Sequence, residues 1–386
     1  MKILVTIERF DPGKGGAERS TQQVVEGLRD RGHEVTLAAG VVMEGAAIEG
    51  VRIESAGMQK LKRGSEVWRY RGFVAGLIKG GGYEGSLSVT TLASAAVVEP
   101  RAGVYRFLHR AALRWQAGGV GRLGRRLGLV MSPKQRAMRA AEAETLGDSG
   151  VKRFVALSRF MREQLVAGGV DEERVVVIPN AAQRPVMGEG DRERVRAVWG
   201  VGEGEVVFVF PAHAVRRKGG WPLVAAMKLV KDERAVLVMV CPEERGLRAW
   251  VERCGVGGRV RLVGESRAMG EVYAGADVVV LPSYYDPASK VVAEALLAGT
   301  PVITTRTNGA CDLVEPGAIE GLADGRWRGR VVDDADDVAG LVRAMDELCD
   351  EGVRRGCAEA AAAVAGVCSM ERHVERLEGE IVAAGR

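Results

Sequence analysis

Apolar positions along the chain gather into short continuous runs, each followed by a stretch with helical spacing. The first run, Met1 to Ile7 (MKILVTI), reads as a strand. The segment GGAERSTQQVVEGLRDRGHEVTLAAG then sets Val24, Val25 and Leu28 on one helical face. It stops at Gly32 and returns to a strand over Glu34 to Ala39. The same strand–loop–helix pattern restarts in EVVFVFPAHAVRRKGGWPLVAAMKLV, with a strand at 206–211, about 205 residues after the first. RAVLVMVCP, RVRLVGE, ADVVVLPS and TPVITT continue the alternation, and MERHVERLEGEIVAAGR reads as a last amphipathic helix. Strands alternating with helices predict parallel sheets.

A chain of 386 residues exceeds what one core usually covers. The two starts therefore predict an α/β protein of two doubly wound, Rossmann-like domains. We set the boundaries at 1–184, joined by the terminal helix 370–386, and 185–369, with the link near AAQRPVMGEGDRER at 181–194.

Composition narrows the partners. No run of about 18 apolar residues is present, so no transmembrane helix is expected. The N-terminus enters a strand-like run at once without the pattern of an export signal, so a cytoplasmic protein is expected. The cysteines at 241, 254, 311, 349, 357 and 368 form no CxxC pair and read as reduced thiols. The net charge of +4 is unevenly spread: Arg101 to Ala141 carries ten Lys or Arg and no Asp or Glu. Such a block is either a solvated face or a surface for an anion. Aromatic residues there are sparse (Tyr105, Phe107, Trp115), which disfavours a base-stacking platform and hence nucleic acid.

Ligands of open parallel sheets bind beyond the carboxyl ends of the strands, so the loops after strands are where chemistry belongs. The first, ERFDPGKGGAERS, is a glycine-rich turn feeding a helix start, which suits an anion. It is not a Walker A loop. Its glycines come too late after the strand, and no acid ends the second strand, so a dinucleotide fingerprint is also disfavoured. Asp11 in it is also compatible with plain turn chemistry. The loop PAHAVRRKGG brings Arg216, Arg217 and Lys218 to a strand end, where they suit a diphosphate. In SYYDPASKVVAEALLAGTPVITT, Ser289 is placed to cap a helix, and the amides of Ser289, Lys290 and Val291 would face an anion. Asp286 before that cap and Glu294, eight residues later, are carboxylates suited to sugar or ribose hydroxyls.

The order ERFDPGKGGAER, VIPN (177–180), RRKGG, GADVVVLPS and DPASKVVAEALLAGTPVITT resembles the family-4 retaining glycosyltransferases of GT-B architecture. SYYDPASKVVAEAL and GVYRFLHRAALR (103–114) are most similar to the lipopolysaccharide core glucosyltransferase I type. The resemblance implies two facing Rossmann-like domains with the site in the cleft between them. It implies transfer of a hexose, glucose in that type, from a nucleotide-diphosphate sugar, UDP in that type, to a saccharide or lipid-linked acceptor with retained configuration. Glu294 would bind the nucleotide ribose, and Asp286, where the family usually has Glu, the transferred sugar. Arg217 and Lys218 would hold the diphosphate. Gly15, Gly16 and Asn180 would complete the donor side, and Asn180 is followed by Ala181 in place of the usual glycine. His109 would lie near the transferred sugar or acceptor. Asp11, Glu18, Arg106 and Arg110 are acceptor-side candidates.

The cations and helix amides would stabilise the leaving phosphate in place of a metal ion. No cofactor and no metal are expected. Asp334-Ala335-Asp336, the one DxD match in the sequence, reads as acids before a helix start rather than as a metal motif. The basic segment 101–141 is expected to meet an anionic, phosphorylated or lipid-linked acceptor at the inner face of the cytoplasmic membrane. The rival readings are a GT-B sugar-nucleotide epimerase or hydrolase, and a non-catalytic sugar-nucleotide-binding protein.

Overall fold

The computed structural model describes residues 1–11, 13, 16–115, 124, 128–129, 131–319 and 321–385. The chain divides into two compact units. Unit 1 comprises Met1–Ala181 and Met370–Arg386, and unit 2 comprises Ala182–Ser369.

Unit 1 is built on a parallel sheet of seven strands: β1 (Lys2–Phe10), β2 (Glu34–Val42), β3 (Arg52–Ser55), β4 (Gly85–Ser88), β5 (Val97–Val98), β6 (Arg153–Ala156) and β7 (Val175–Val177). Their spatial order is β3-β2-β1-β4-β5-β6-β7. The first apolar run extends further than its sequence pattern predicts, because the β1–β2 pairing continues through Arg9↔Val41 and Phe10↔Val42. Glu8, a polar residue in an apolar run, is thereby drawn into the sheet. The helices used below are α1 (Gly16–Asp30), α2 (Gly64–Gly80), α3 (Tyr105–Ala112), α4 (Pro133–Gly147) and α5 (Arg159–Ala167). The predicted face of α1 is the buried one, with Val24, Val25 and Leu28 fully enclosed.

The C-terminal helix, Met370–Gly385, returns to unit 1 and buries Val374, Leu377 and Ile381 in the same core cluster as Val24 and Leu28. Gly27 permits this approach, since a Cβ there would sit 2.8 Å from Val374 Cγ2. Polar anchors fix the register. His33 Nε2 lies 2.7 Å from Glu378 Oε1, and Arg376 donates to Val177 O over 2.8 Å.

Unit 2 carries six parallel strands: β8 (Val206–Pro211), β9 (Ala235–Val240), β10 (Val260–Leu262), β11 (Val278–Leu281), β12 (Val302–Thr305) and β13 (Gly329–Val332). The order is β10-β9-β8-β11-β12-β13, so the direction of winding reverses between β8 and β11. VVFVFP and VVVL are buried along their whole length, which is why these strands read as unbroken apolar runs rather than alternating ones. Helices α6 (Asp191–Trp199), α7 (Gly220–Met227), α8 (Leu247–Cys254), α9 (Met269–Gly275), α10 (Lys290–Leu297), α11 (Val338–Leu348) and α12 (Glu351–Ala361) connect or flank the strands. All six cysteines are free thiols, in agreement with the expected reduced state, and burial pushes Cys241, Cys349 and Cys368 up to about 12.

Candidate functional site

The carboxyl ends of β8, β9 and β11 open onto a crevice of about 240 Å³ inside unit 2. Arg217, Lys218, Val291 and Glu294 line it, together with His213 and Glu265. This is the point at which an open α/β sheet places ligands, because the winding reversal parts the two flanking loops.

The loop after β8 is wound tightly. Lys218 N donates to Ala214 O over 2.9 Å, and Gly220 N to Val215 O over 2.9 Å. Gly219 takes φ 78° at the start of α7, and a side chain there would run into the carbonyl of Pro282 at the end of β11. Only glycine fits this position, and it presses the Arg217–Lys218 turn against β11. Tyr284 N donates to Arg217 O over 2.9 Å and ties the two loops together.

The three consecutive bases separate. Arg216 turns away: its Nε pairs with Glu244 Oε1 at 2.5 Å and its guanidinium lies 4.0 Å above the Trp221 ring. It is thus withdrawn from the diphosphate role that its position in sequence suggested. Arg217 and Lys218 remain on the crevice wall. Lys218 is deeply placed and forms an ion pair with Asp286 Oδ2. Burial pushes the Lys218 ammonium below its ordinary pKa, Asp286 opposes that shift, and neighbouring Arg217 adds to it.

Asp286 is fixed through its backbone. Its N–H donates to Thr307 O over 3.0 Å, and its carbonyl accepts from Gly309 N over 2.9 Å. Ser289 does occupy the N-cap position of α10, but its side chain makes no capping hydrogen bond. Its amide donates to Asn308 Oδ1 over 3.3 Å, so it is already engaged within the fold and is not free for an anion as the sequence suggested. Asn308 is held in turn by Nδ2 donating to Thr304 Oγ1 over 3.0 Å. Lys290 and Val291 open α10 half-buried, and Val291 reaches the crevice. One turn on, Glu294 accepts from Tyr273 OH over 2.9 Å. Burial and the Glu294 carboxylate push the Tyr273 phenol well above its ordinary pKa, so it stays a donor at neutral pH.

Sequence reasoning passed over Tyr273, Asn308 and the His213–Glu265 pair, whose Nδ1 and Oε1 lie 2.6 Å apart. His213 is 88% exposed, so this pair sits at the open rim. A histidine two residues after the end of β8 was its only signal. The acids at 334–337 serve local structure: Asp336 N donates to Asp334 Oδ1 over 2.7 Å, Tyr284 OH bonds to Asp336, and Asp337 caps α11 through Gly340 N. Among the described residues, no three His, Cys, Asp or Glu side chains gather as a metal-binding group.

The remaining candidates lie in unit 1. Asp11 is buried and accepts from Arg9 over 2.8 Å and from Gly13 N over 3.2 Å, which is turn chemistry. Gly16 and Glu18 stand in the first turn of α1, whereas Gly15 lies outside the described residues. Asn180 is half-buried just beyond β7. His109 is half-buried on α3, its ring 6.2 Å from that of Tyr105. Arg106 and Arg110 are exposed and flank the Phe107 ring at 5.6 and 5.9 Å. The middle of the basic segment, 116–123, 125–127 and 130, falls outside the described residues.

Two acids that sequence reasoning did not flag organise this region. Glu142 of α4, buried, accepts from Tyr105 N (2.7 Å), Arg106 N (3.1 Å) and Thr91 Oγ1 (2.9 Å), thereby holding the start of α3. Glu8 accepts from Thr90 Oγ1 and from Tyr105 OH, the latter over 3.1 Å. Burial pushes the Glu8 carboxyl above its ordinary value despite those donors.

Comparison with known proteins agrees with this architecture. Residues 14–183 match the family described as Glycosyltransferase Family 4, and residues 191–364 match Glycosyl transferases group 1. A D-inositol 3-phosphate glycosyltransferase of Geodermatophilus obscurus is 29% identical over 271 residues, 65% of this chain and 56% of that protein. The chain thus spans little more than half the length of that curated relative. Among solved structures, WaaG, a glycosyltransferase involved in lipopolysaccharide biosynthesis, superposes with a TM-score of 0.73 at 18% identity, over 98% of this chain and 99% of that one. Anabaena Alr3699/HepE in complex with UDP and glucose gives 0.65 at 16% identity, over 99% and 100%. With the two family models running in succession along the chain, the protein belongs to the group 1 and family 4 glycosyltransferases of GT-B fold.

Proposed function

We propose that the protein is a retaining glycosyltransferase that moves a hexose from a nucleotide-diphosphate sugar to a saccharide or lipid-linked acceptor. The observation that carries this reading is the meeting of Arg217, Lys218, Val291 and Glu294 on one crevice at the winding reversal of unit 2. Two cations, a helix start and a carboxylate at that spacing suit a diphosphate flanked by a ribose. UDP is the nucleotide we favour, in keeping with the UDP complex of the HepE relative in fold.

In the reaction, the bond between the anomeric carbon and the β-phosphate oxygen breaks, and its electron pair stays on the phosphate. Arg217 and Lys218 are placed to bind that growing charge more strongly than the ground state. The acceptor oxygen attacks the same face of the sugar, and its proton passes to the departing phosphate. Asp286 holds sugar hydroxyls and His109 stands on the acceptor side. This scheme routes no step through a metal ion, and turnover should persist in excess chelator.

The acceptor is anionic in this reading. Support comes from the basic segment 101–141, which carries no acid of its own, and from the curated relatives, whose name includes D-inositol 3-phosphate. The lipopolysaccharide role of WaaG supports a lipid-linked variant of the same idea. We place the protein at the inner face of the cytoplasmic membrane, held by those bases. Among the described residues, no helix is long and apolar enough to cross a membrane.

The test is calorimetric titration of a nucleotide-sugar panel into wild type and Lys218→Met, followed by assays with and without acceptors. Lys218→Met should lower kcat/KM by about a hundredfold or more, the scale set by loss of one transition-state charge contact. Release of free sugar without acceptor at full rate would favour the hydrolase or epimerase reading, and tight binding with no turnover on any acceptor the non-catalytic one.

A further inference from the structure

We propose that the Lys218–Asp286 ion pair lets the crevice tell an intact nucleotide-diphosphate sugar from the nucleoside diphosphate left after transfer, with Asp286 as the specificity-determining residue. The inference rests on the donor-site reading above. The Lys218 and Asp286 side chains are only 13% and 12% exposed, and Lys218 is the partner of the Asp286 carboxylate among the described contacts. Neither can swing clear with its loop. Lys218 stands on a turn clamped by Gly219 against Pro282, and Asp286 is bonded through its backbone to Thr307 and Gly309.

The Asp286 carboxylate occupies the Lys218 ammonium that a diphosphate in the crevice needs. A ligand that takes Lys218 therefore leaves Asp286 shielded from water, negatively charged and beside an anion. An uncompensated charge of that kind is costly. An intact donor offsets the cost, because its sugar hydroxyls donate to the freed carboxylate, and hydrogen bonds to a charged group are among the stronger ones. A nucleoside diphosphate alone lacks the transferred sugar's hydroxyls, and its ribose is assigned to Glu294. Repulsion from Asp286 thus offsets, in the product, the grip of Arg217 and Lys218 on the departed charge, while the intact donor is spared, which favours release after transfer. Asparagine at 286 would remove the charge while keeping the shape. It would relieve the repulsion felt by the bare diphosphate and give up part of what the sugar gains.

The test is calorimetry at one pH and ionic strength with UDP, GDP and ADP, and with UDP-glucose, GDP-mannose and ADP-glucose. Wild type should bind the intact form of its own donor more tightly than the matching diphosphate, by on the order of tenfold. In Asp286→Asn the diphosphate should bind several-fold more tightly than in wild type, and the ratio of the two affinities should fall towards one. Asp286→Ser serves as the second variant, with thermal melts confirming that each is folded, and the wild-type preference needs no variant at all. An unchanged or weakened diphosphate affinity in the folded variants, or no wild-type preference, overturns the inference. If wild type binds no nucleoside diphosphate, the donor-site reading falls with it. If wild type binds one and Lys218→Met loses it while the Asp286 variants gain nothing, only the ion-pair inference falls.

Discussion

Tyr273 of α9 donates its phenolic hydrogen bond to Glu294 of α10 over 2.9 Å, and so holds the carboxylate that we assign to the nucleotide ribose. The phenol is buried, while the carboxylate is half-buried on the crevice wall. Tyr273→Phe removes one oxygen and leaves the packing of the ring. Affinity for the nucleotide should fall by roughly tenfold, the scale of one hydrogen bond to a charged group. Calorimetry with the nucleoside diphosphate measures it, and a thermal melt should show a much smaller effect on the fold.

Glu142 accounts for the geometry of α3. Its carboxylate takes the N–H groups of Tyr105 and Arg106, one turn before His109. Glu142→Ala leaves two amides at that helix start without their partner and should cost about 2 kcal/mol of stability in unit 1. Steady-state kinetics should show kcat falling more than the donor KM rises, because α3 belongs to unit 1 whereas Arg217, Lys218 and Glu294 belong to unit 2.

Glu99 gives a pH dependence with a definite sign. The carboxylate is fully buried, 2.6 Å from Arg101 and 3.2 Å from His373 Nε2 of the C-terminal helix. Burial alone pushes its pKa up, but Arg101 and His373 more than offset that and hold it below the ordinary value of 4.5. A carboxyl whose pKa is depressed by folding contributes stability that is fully present above its unfolded pKa. The contribution is lost as pH falls through the lower folded value. Glu99→Gln should therefore destabilise at pH 7 by about 3 kcal/mol, the scale of breaking a buried pair, and the gap should shrink as pH falls below the ordinary value of 4.5. Urea unfolding at the two pH values checks it.

Arg106 and Arg110 are exposed beside Phe107, and at this end of the basic segment they carry the membrane proposal. Replacing both with Gln should weaken sedimentation with anionic liposomes by about 1 kcal/mol per charge at low salt, an effect that should vanish at high salt. Unchanged liposome binding after neutralising the bases of 101–141 would refute the membrane role. Activity on a soluble acceptor should change far less than binding to vesicles.

Much of the architecture was legible in the sequence because its signals are local. MKILVTI, VVFVFP and VVVL are strands for the same reason that they are apolar: both faces are covered. The Val24, Val25, Leu28 stripe fixed the buried face of α1, and Arg217, Lys218 and Glu294 could be assigned to strand-end loops and a helix start by counting along the chain. The last residues of a strand are harder to read. Pairing with β2 carried β1 through Glu8, a residue whose polarity argues locally for a loop.

What the chain pattern could not decide is which charged group each charged group meets. Lys218 and Asp286 are 68 residues apart, Tyr105 and Glu142 37, and Ser289 and Asn308 19. Arg216 is one residue from Arg217, yet it leaves the crevice for Glu244 and the Trp221 ring. Periodicity reports how deeply a position is buried, because burial repeats with the helix or strand. Partner choice depends on where separate strand ends converge, and a parallel sheet brings distant segments of the chain to one edge. The sequence by itself therefore determined the two α/β units and the loops that carry the chemistry. Only the tertiary structure decided that Ser289's amide is already engaged, that Lys218 is held by Asp286, and that Tyr273 stands behind Glu294.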